Sequence, residues 1–107
     1  MLQLLADVCV GMWRTHSKMV DSTSGEATRR ALRPLESTMD ILRQAGFEIK
    51  DHTDKPYVVG MQEKVVAWET KEGLKSEMII ETIRPTIIYQ EMVIKQGEII
   101  VGVPPKA

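Results

Sequence analysis

The sequence predicts an α+β fold, an N-terminal helical hairpin followed by a small, mostly antiparallel β domain. Two observations carry this. Apolar residues recur at alternating steps of three and four up to Gly46, and behind it they alternate at short range among Val, Ile and Trp with polar breaks every few residues.

The first helix reads from Leu2 to about Val20, with Leu2, Leu5, Cys9, Met12, His16 and Met19 forming a heptad seam. Ala6, Val10, Trp13 and Val20 add a second apolar line and Leu4 and Val8 a third, so this helix needs cover on more than one side. A second helix is announced by Asp21-Ser22-Thr23-Ser24-Gly25-Glu26, where Thr23 and Glu26 have the spacing of a capping box, and Gly46 ends it. Leu32, Leu35, Met39 and Leu42 form its apolar stripe, and Pro34 inside it predicts a kink or a 3₁₀ turn. The strands follow as Phe47 to Lys50, Lys64 to Thr70, Glu77 to Ile83, Ile87 to Tyr89, Met92 to Lys95 and Glu98 to Val103, forming a compact sheet or small open barrel. His52-Thr53-Asp54-Lys55-Pro56 reads as a turn. Trp68, mid-strand, is expected to anchor the sheet in a core, where truncation would cost roughly 3 to 5 kcal/mol.

Two domains are therefore expected, residues 1–46 for dimerisation and residues 47–107 for partner binding. A chain of 107 residues has one modest core to share between them. The wide apolar surface of the hairpin predicts a homodimer in which two hairpins form a parallel four-helix bundle, with Leu5, Cys9, Met12, Leu32, Leu35, Met39 and Leu42 at the interface. The alternative is a hairpin that folds back on its own sheet.

Lys and Arg less Asp and Glu give 6 − 5 = +1 for residues 1–46 and 8 − 10 = −2 for residues 47–107, so neither half has the basic excess that phosphate binding needs. Nucleic acid and anionic membranes are unlikely partners, and the apolar start, interrupted by Gln3 and Asp7, is too short to span a bilayer. A soluble, cytoplasmic protein is expected. The single Cys9 cannot form an internal disulfide and reads as a small hydrophobe.

No enzyme is indicated by the residues. His16 and His52 lie in a helix and a turn without a nucleophile motif around them, Asp51 and Asp54 fall short of a calcium loop, and Gly97 and Gly102 form no phosphate loop. His16 reads as a packing or register residue and His52 as a solvated turn residue. Neither a cofactor nor a metal is expected.

The order of motifs resembles the head of the GrpE family, the nucleotide exchange factors of DnaK-type heat-shock chaperones. Leu4-Leu5 opens the first helix, Met39-Asp40-Ile41-Leu42 closes the second, and Gly46-Phe47-Glu48-Ile49 leads into the sheet. Pro56-Tyr57 then precedes Gln62-Glu63-Lys64-Val65, and Ile79-Ile80-Glu81 runs without a gap to Ile99-Ile100-Val101. The chain departs from the family pattern where a Gly-Tyr pair is Thr86-Ile87, where a hairpin arginine is Met92, and where Arg-Pro-Ala is Lys95-Gln96-Gly97. It also begins almost at the head, where the family has a long coiled-coil helix. The resemblance implies a non-covalent function: docking on the ATPase domain of a DnaK-type chaperone, favouring its open cleft and so speeding ADP release. The chaperone-facing positions it implies are Arg30, Ile83, Met92, Lys95 and Val101. A GrpE-like scaffold that binds a protein without exchange activity, and a small enzyme with a site across its dimer interface, are the competing readings.

Overall fold

A computed structural model describes residues 1–21 and 25–106. The order of elements is that of an α+β chain: α1 (Leu2–Asp21), α2 (Gly25–Gln44), β1 (Phe47–Lys50), β2 (Lys64–Thr70), β3 (Met78–Arg84), β4 (Thr86–Tyr89), β5 (Met92–Lys95) and β6 (Glu98–Val103). Thr23 of the expected capping box lies outside the described residues. α2 runs through Pro34 without a 3₁₀ segment. At its end Gly46 takes φ +104° and its N–H bonds the Arg43 carbonyl at 3.0 Å. That left-handed conformation costs a residue without a Cβ little.

The strands form two sheets of three, where the sequence suggested one. One has the order β1-β4-β5, and the other β2-β6-β3. β4 and β5 are antiparallel, as are β3 and β6, while β2 and β6 run parallel. The β4–β5 turn is tight: Gln90 and Glu91 both have positive φ, 48° and 68°, the left-handed pair that suits a two-residue hairpin.

The chain also does not divide at Gly46. One compact unit joins Met1–Ile49 to Ile87–Lys95, and the other joins Lys50–Thr86 to Gln96–Ala107. In the first, α1 and the β1-β4-β5 sheet share a core of Ala6, Cys9, Val10, Phe47 and Ile87, with Leu5, Leu42, Ile49, Tyr89 and Ile94 packed on it. Phe47 and Tyr89 meet with ring centroids 4.6 Å apart. The hairpin therefore does fold back on strands of its own chain, through the first half of α1. In the second unit the core is Ile79, Ile99 and Val101, flanked by Tyr57, Met61 and Val65.

Candidate functional site

Burial separates the hairpin into a used end and an unused end. The buried residues of α1 are Ala6, Cys9 and Val10, all in its first half, and α2 has none. Cys9 is fully buried in the first unit's own core, and Leu5 and Leu42 pack on that core. This corrects their assignment to a dimer interface: the sheet strands reach them first. Burial also pushes the Cys9 thiol above its ordinary pKa by desolvation, partly offset by a backbone hydrogen bond. Met12, Leu32, Leu35 and Met39 are partly buried and lie outside that core, continuing the stripe along the hairpin. His16 Nε2 lies 3.0 Å from Glu36 Oε2, linking the two helices beside Met39.

The residues implied to face a chaperone divide between the two units. Arg30, Met92 and Lys95 belong to the first unit, Ile83 and Val101 to the second. Val101 is fully buried between Ile79 and Ile99, so it is a core residue and offers no side-chain surface to a partner. Ile83 is half-buried on β3. Lys95 Nζ is held 2.5 Å from Asp7 Oδ1, and Arg30 pairs with Glu26 one turn away on an exposed stretch of α2. Met92 is 69 % exposed just beyond the tight β4–β5 turn, beside Val93. Arg29 and Arg33 join Arg30 and Glu26 around a shallow depression of about 320 Å³.

Two residues of the second unit are placed differently from their sequence reading. Trp68 is 53 % exposed. The β2 register breaks between Val65 and Ala67, which brings Trp68 level with Val101 on the core side of the sheet, yet at the rim, where Tyr57 meets it edge-on at 5.3 Å. His52 is buried rather than solvated, with Nε2 3.1 Å from Glu63 Oε2. The same oxygen accepts a hydrogen bond from the Thr86 hydroxyl at 2.5 Å. Nearby, Thr82 Oγ1 accepts from the His52 N–H and the Thr53 hydroxyl and donates to Asp51 Oδ1. These contacts occupy the hydroxyls of Thr82 and Thr86, while His52 Nε2 is buried near Glu63 without making a hydrogen bond, and Thr86 is almost without access to solvent, so the cluster holds the chain. The composition around His52 is that of a turn, and its burial follows from Glu63 and Thr86, which are remote in sequence.

Among the described residues no group of three or more His, Cys, Asp or Glu could hold a metal ion, and no helix is long and apolar enough to cross a membrane. Exposed apolar side chains among the described residues include Leu4 and Ile41 on the helices, Val58 and Val59 ahead of β2, Met92 and Val93 on the β4–β5 hairpin, and Trp68. Compared with known proteins, the chain matches no family model, no curated protein and no solved structure.

Proposed function

We propose that this chain is a dimeric, non-enzymatic binding protein of GrpE type that docks on the ATPase domain of a DnaK-type chaperone in the cytoplasm and promotes ADP release. The observation that carries the reading is α2. A helix of 20 residues carries an apolar stripe at Leu32, Leu35 and Met39, and none of these side chains is fully buried within the chain. α1 packs on α2 and covers the stripe in part, and the hairpin of a second copy is the simplest cover for the rest. The motif order from Leu4-Leu5 to Val101 supplies the rest of the reading by resemblance.

Docking would then fall to exposed groups, Met92 first and Arg30 second, with Ile83 and Lys95 at the margins. Val101 is left out because its side chain is enclosed. Exchange requires that this surface bind the open form of the ATPase domain more tightly than the closed form. By linkage, ADP would weaken the complex by the same factor.

Stopped-flow release of a fluorescent ADP analogue from the chaperone of the same genome is the test. Acceleration that Met92→Asp removes, with the oligomer intact, supports the reading. An unchanged release rate with every such chaperone of the host excludes exchange, and the scaffold reading then stands if a chaperone is still captured. The departures at Thr86, Met92 and Gln96 favour that second reading.

A further inference from the structure

Two three-stranded sheets present four outer edges, and three of these are closed or short. Along β3, Asp54 N–H bonds the Ile79 carbonyl at 2.8 Å, Ile79 N–H bonds the Lys55 carbonyl at 2.9 Å, and Tyr57 N–H bonds the Glu77 carbonyl at 3.2 Å. Along β5, the Gln3 side-chain amide caps the Ile94 carbonyl at 2.9 Å and Asp7 holds Lys95. β1 is four residues long. β2 is different: it has seven residues, and among the described residues its strand partner is β6 alone. Lys71 N–H points to the Val103 carbonyl of β6 at 2.9 Å. With a strand period of two, the N–H and C=O groups of Thr70 and Trp68 point the other way, along the open edge. An edge of this kind is a template for another strand.

The side chains state which strand fits. Lys64 opens β2, while Glu69 and Glu72 outnumber Lys71 at its far end. Charge complementarity calls for an antiparallel partner with an acidic end near Lys64 and a basic end near Glu69 and Glu72. It also calls for an apolar or aromatic residue beside the half-exposed Trp68 ring. β2 itself meets this description when its direction is reversed. We infer that β2 pairs antiparallel with β2 of a second copy, about a two-fold axis near Trp68, where the two Trp68 residues exchange backbone hydrogen bonds and set their rings side by side. The contact is isologous, uses a surface remote in sequence from the hairpin stripe, and does not depend on the chaperone reading.

Light scattering with paired variants tests it. In a Leu35→Asp background, which removes a dimer made by the hairpin, the chain should still reach twice its monomer mass at high concentration, and adding Trp68→Lys should return it to monomer. Lys64→Glu should weaken the edge dimer at least several-fold, and the swap Lys64→Glu with Glu72→Lys should restore it. Amide exchange on the wild-type chain gives a readout free of variants: Trp68 and Thr70 should gain protection as concentration rises. Free exchange of both amides at every concentration, with a monomeric Leu35→Asp variant, overturns the inference. A dimer lost with Trp68→Lys but kept with Leu35→Asp would instead retain the edge contact and refute the helical dimer.

Discussion

Thr86 and Glu63 are joined by a hydroxyl-to-carboxylate hydrogen bond of 2.5 Å, made to the oxygen that also faces His52. The bond ties the start of β4 to the turn entering β2. A carboxylate with its side chain only 7 % exposed needs such partners, because in a dry site an unpaired charge costs several kcal/mol. His52→Ala should therefore cost about 1 to 3 kcal/mol in urea unfolding, by leaving the part-buried Thr82 hydroxyl and Glu63 carboxylate with a cavity beside them. Thr86→Val should cost about 1 to 3 kcal/mol, the scale for a lost buried hydrogen bond.

Gly97 gives this cluster its room. A Cβ there would sit 2.5 Å from Thr86 Oγ1 and 3.0 Å from both the Arg84 carbonyl and the Thr86 nitrogen. Gly97→Ala should thus destabilise by about 1 to 3 kcal/mol through overpacking against backbone. Gly102→Ala should also destabilise, since a Cβ there would sit 2.6 Å from Ile80 Cγ2, which the branched Cβ holds stiffly, and 2.9 Å from the movable end of Leu74. Thermal melts of the two variants measure both losses directly.

Cys9 should resist thiol reagents. Its side chain is fully buried and its thiol is held above the ordinary pKa, so little thiolate forms and little of it is reachable. Labelling should proceed at the rate of local opening and become fast in denaturant. The linkage has a definite sign: with the folded pKa raised, the contribution of this group to stability is complete below the unfolded thiol pKa and is lost as pH rises through the folded one. Cys9→Ser should flatten that alkaline decline in a stability-against-pH series.

Trp68→Ala should cost no more than about 1 kcal/mol in a monomeric background, well below the scale for a buried ring. Half of the residue already meets solvent, and its ring contact is the edge-on packing with Tyr57. A loss of 3 kcal/mol or more by urea unfolding would contradict its placement at the rim.

Leu35→Asp should leave the far-ultraviolet spectrum of the folded chain nearly unchanged, because Leu35 is only partly buried and lies outside the core that α1 shares with the sheet. The mass in solution should fall by half where the hairpins pair. Placing aspartate on that stripe penalises association by the desolvation of a charge.

The helices were legible because their signals are local. A three-four repeat and a glycine stop need no information from elsewhere in the chain, and α1 and α2 begin and end within a few residues of the pattern. Strand positions were legible for the same reason. Their grouping was not: Thr86-Ile87 and Met78-Ile79 are equally apolar, and membership of a sheet depends on pairing between segments far apart. His52 and Trp68 show the same limit from opposite sides. One has the neighbours of a turn and is buried by Glu63 and Thr86, while the other has the neighbours of a core strand and stays half-exposed because β2 is an outer strand of its sheet. Cys9, Leu5 and Leu42 sat on a true apolar seam, but a seam does not say which partner covers it.

The interleaving of the two units bears on the order in which the molecule can be made. During synthesis α1 and α2 emerge first, yet Ile87, which closes the core over Ala6 and Cys9, and Ile94, which packs on it, come only after nearly all of β2 and β3. Until then the nascent hairpin keeps its greasiest stretch, Leu2 to Val10, without its native strands, and those late contacts are of the long-range kind that slows folding. α1 is thus finished only by strands made long after it, and no single cut near Gly46 would separate it from Ile87 and Ile94 without breaking its core.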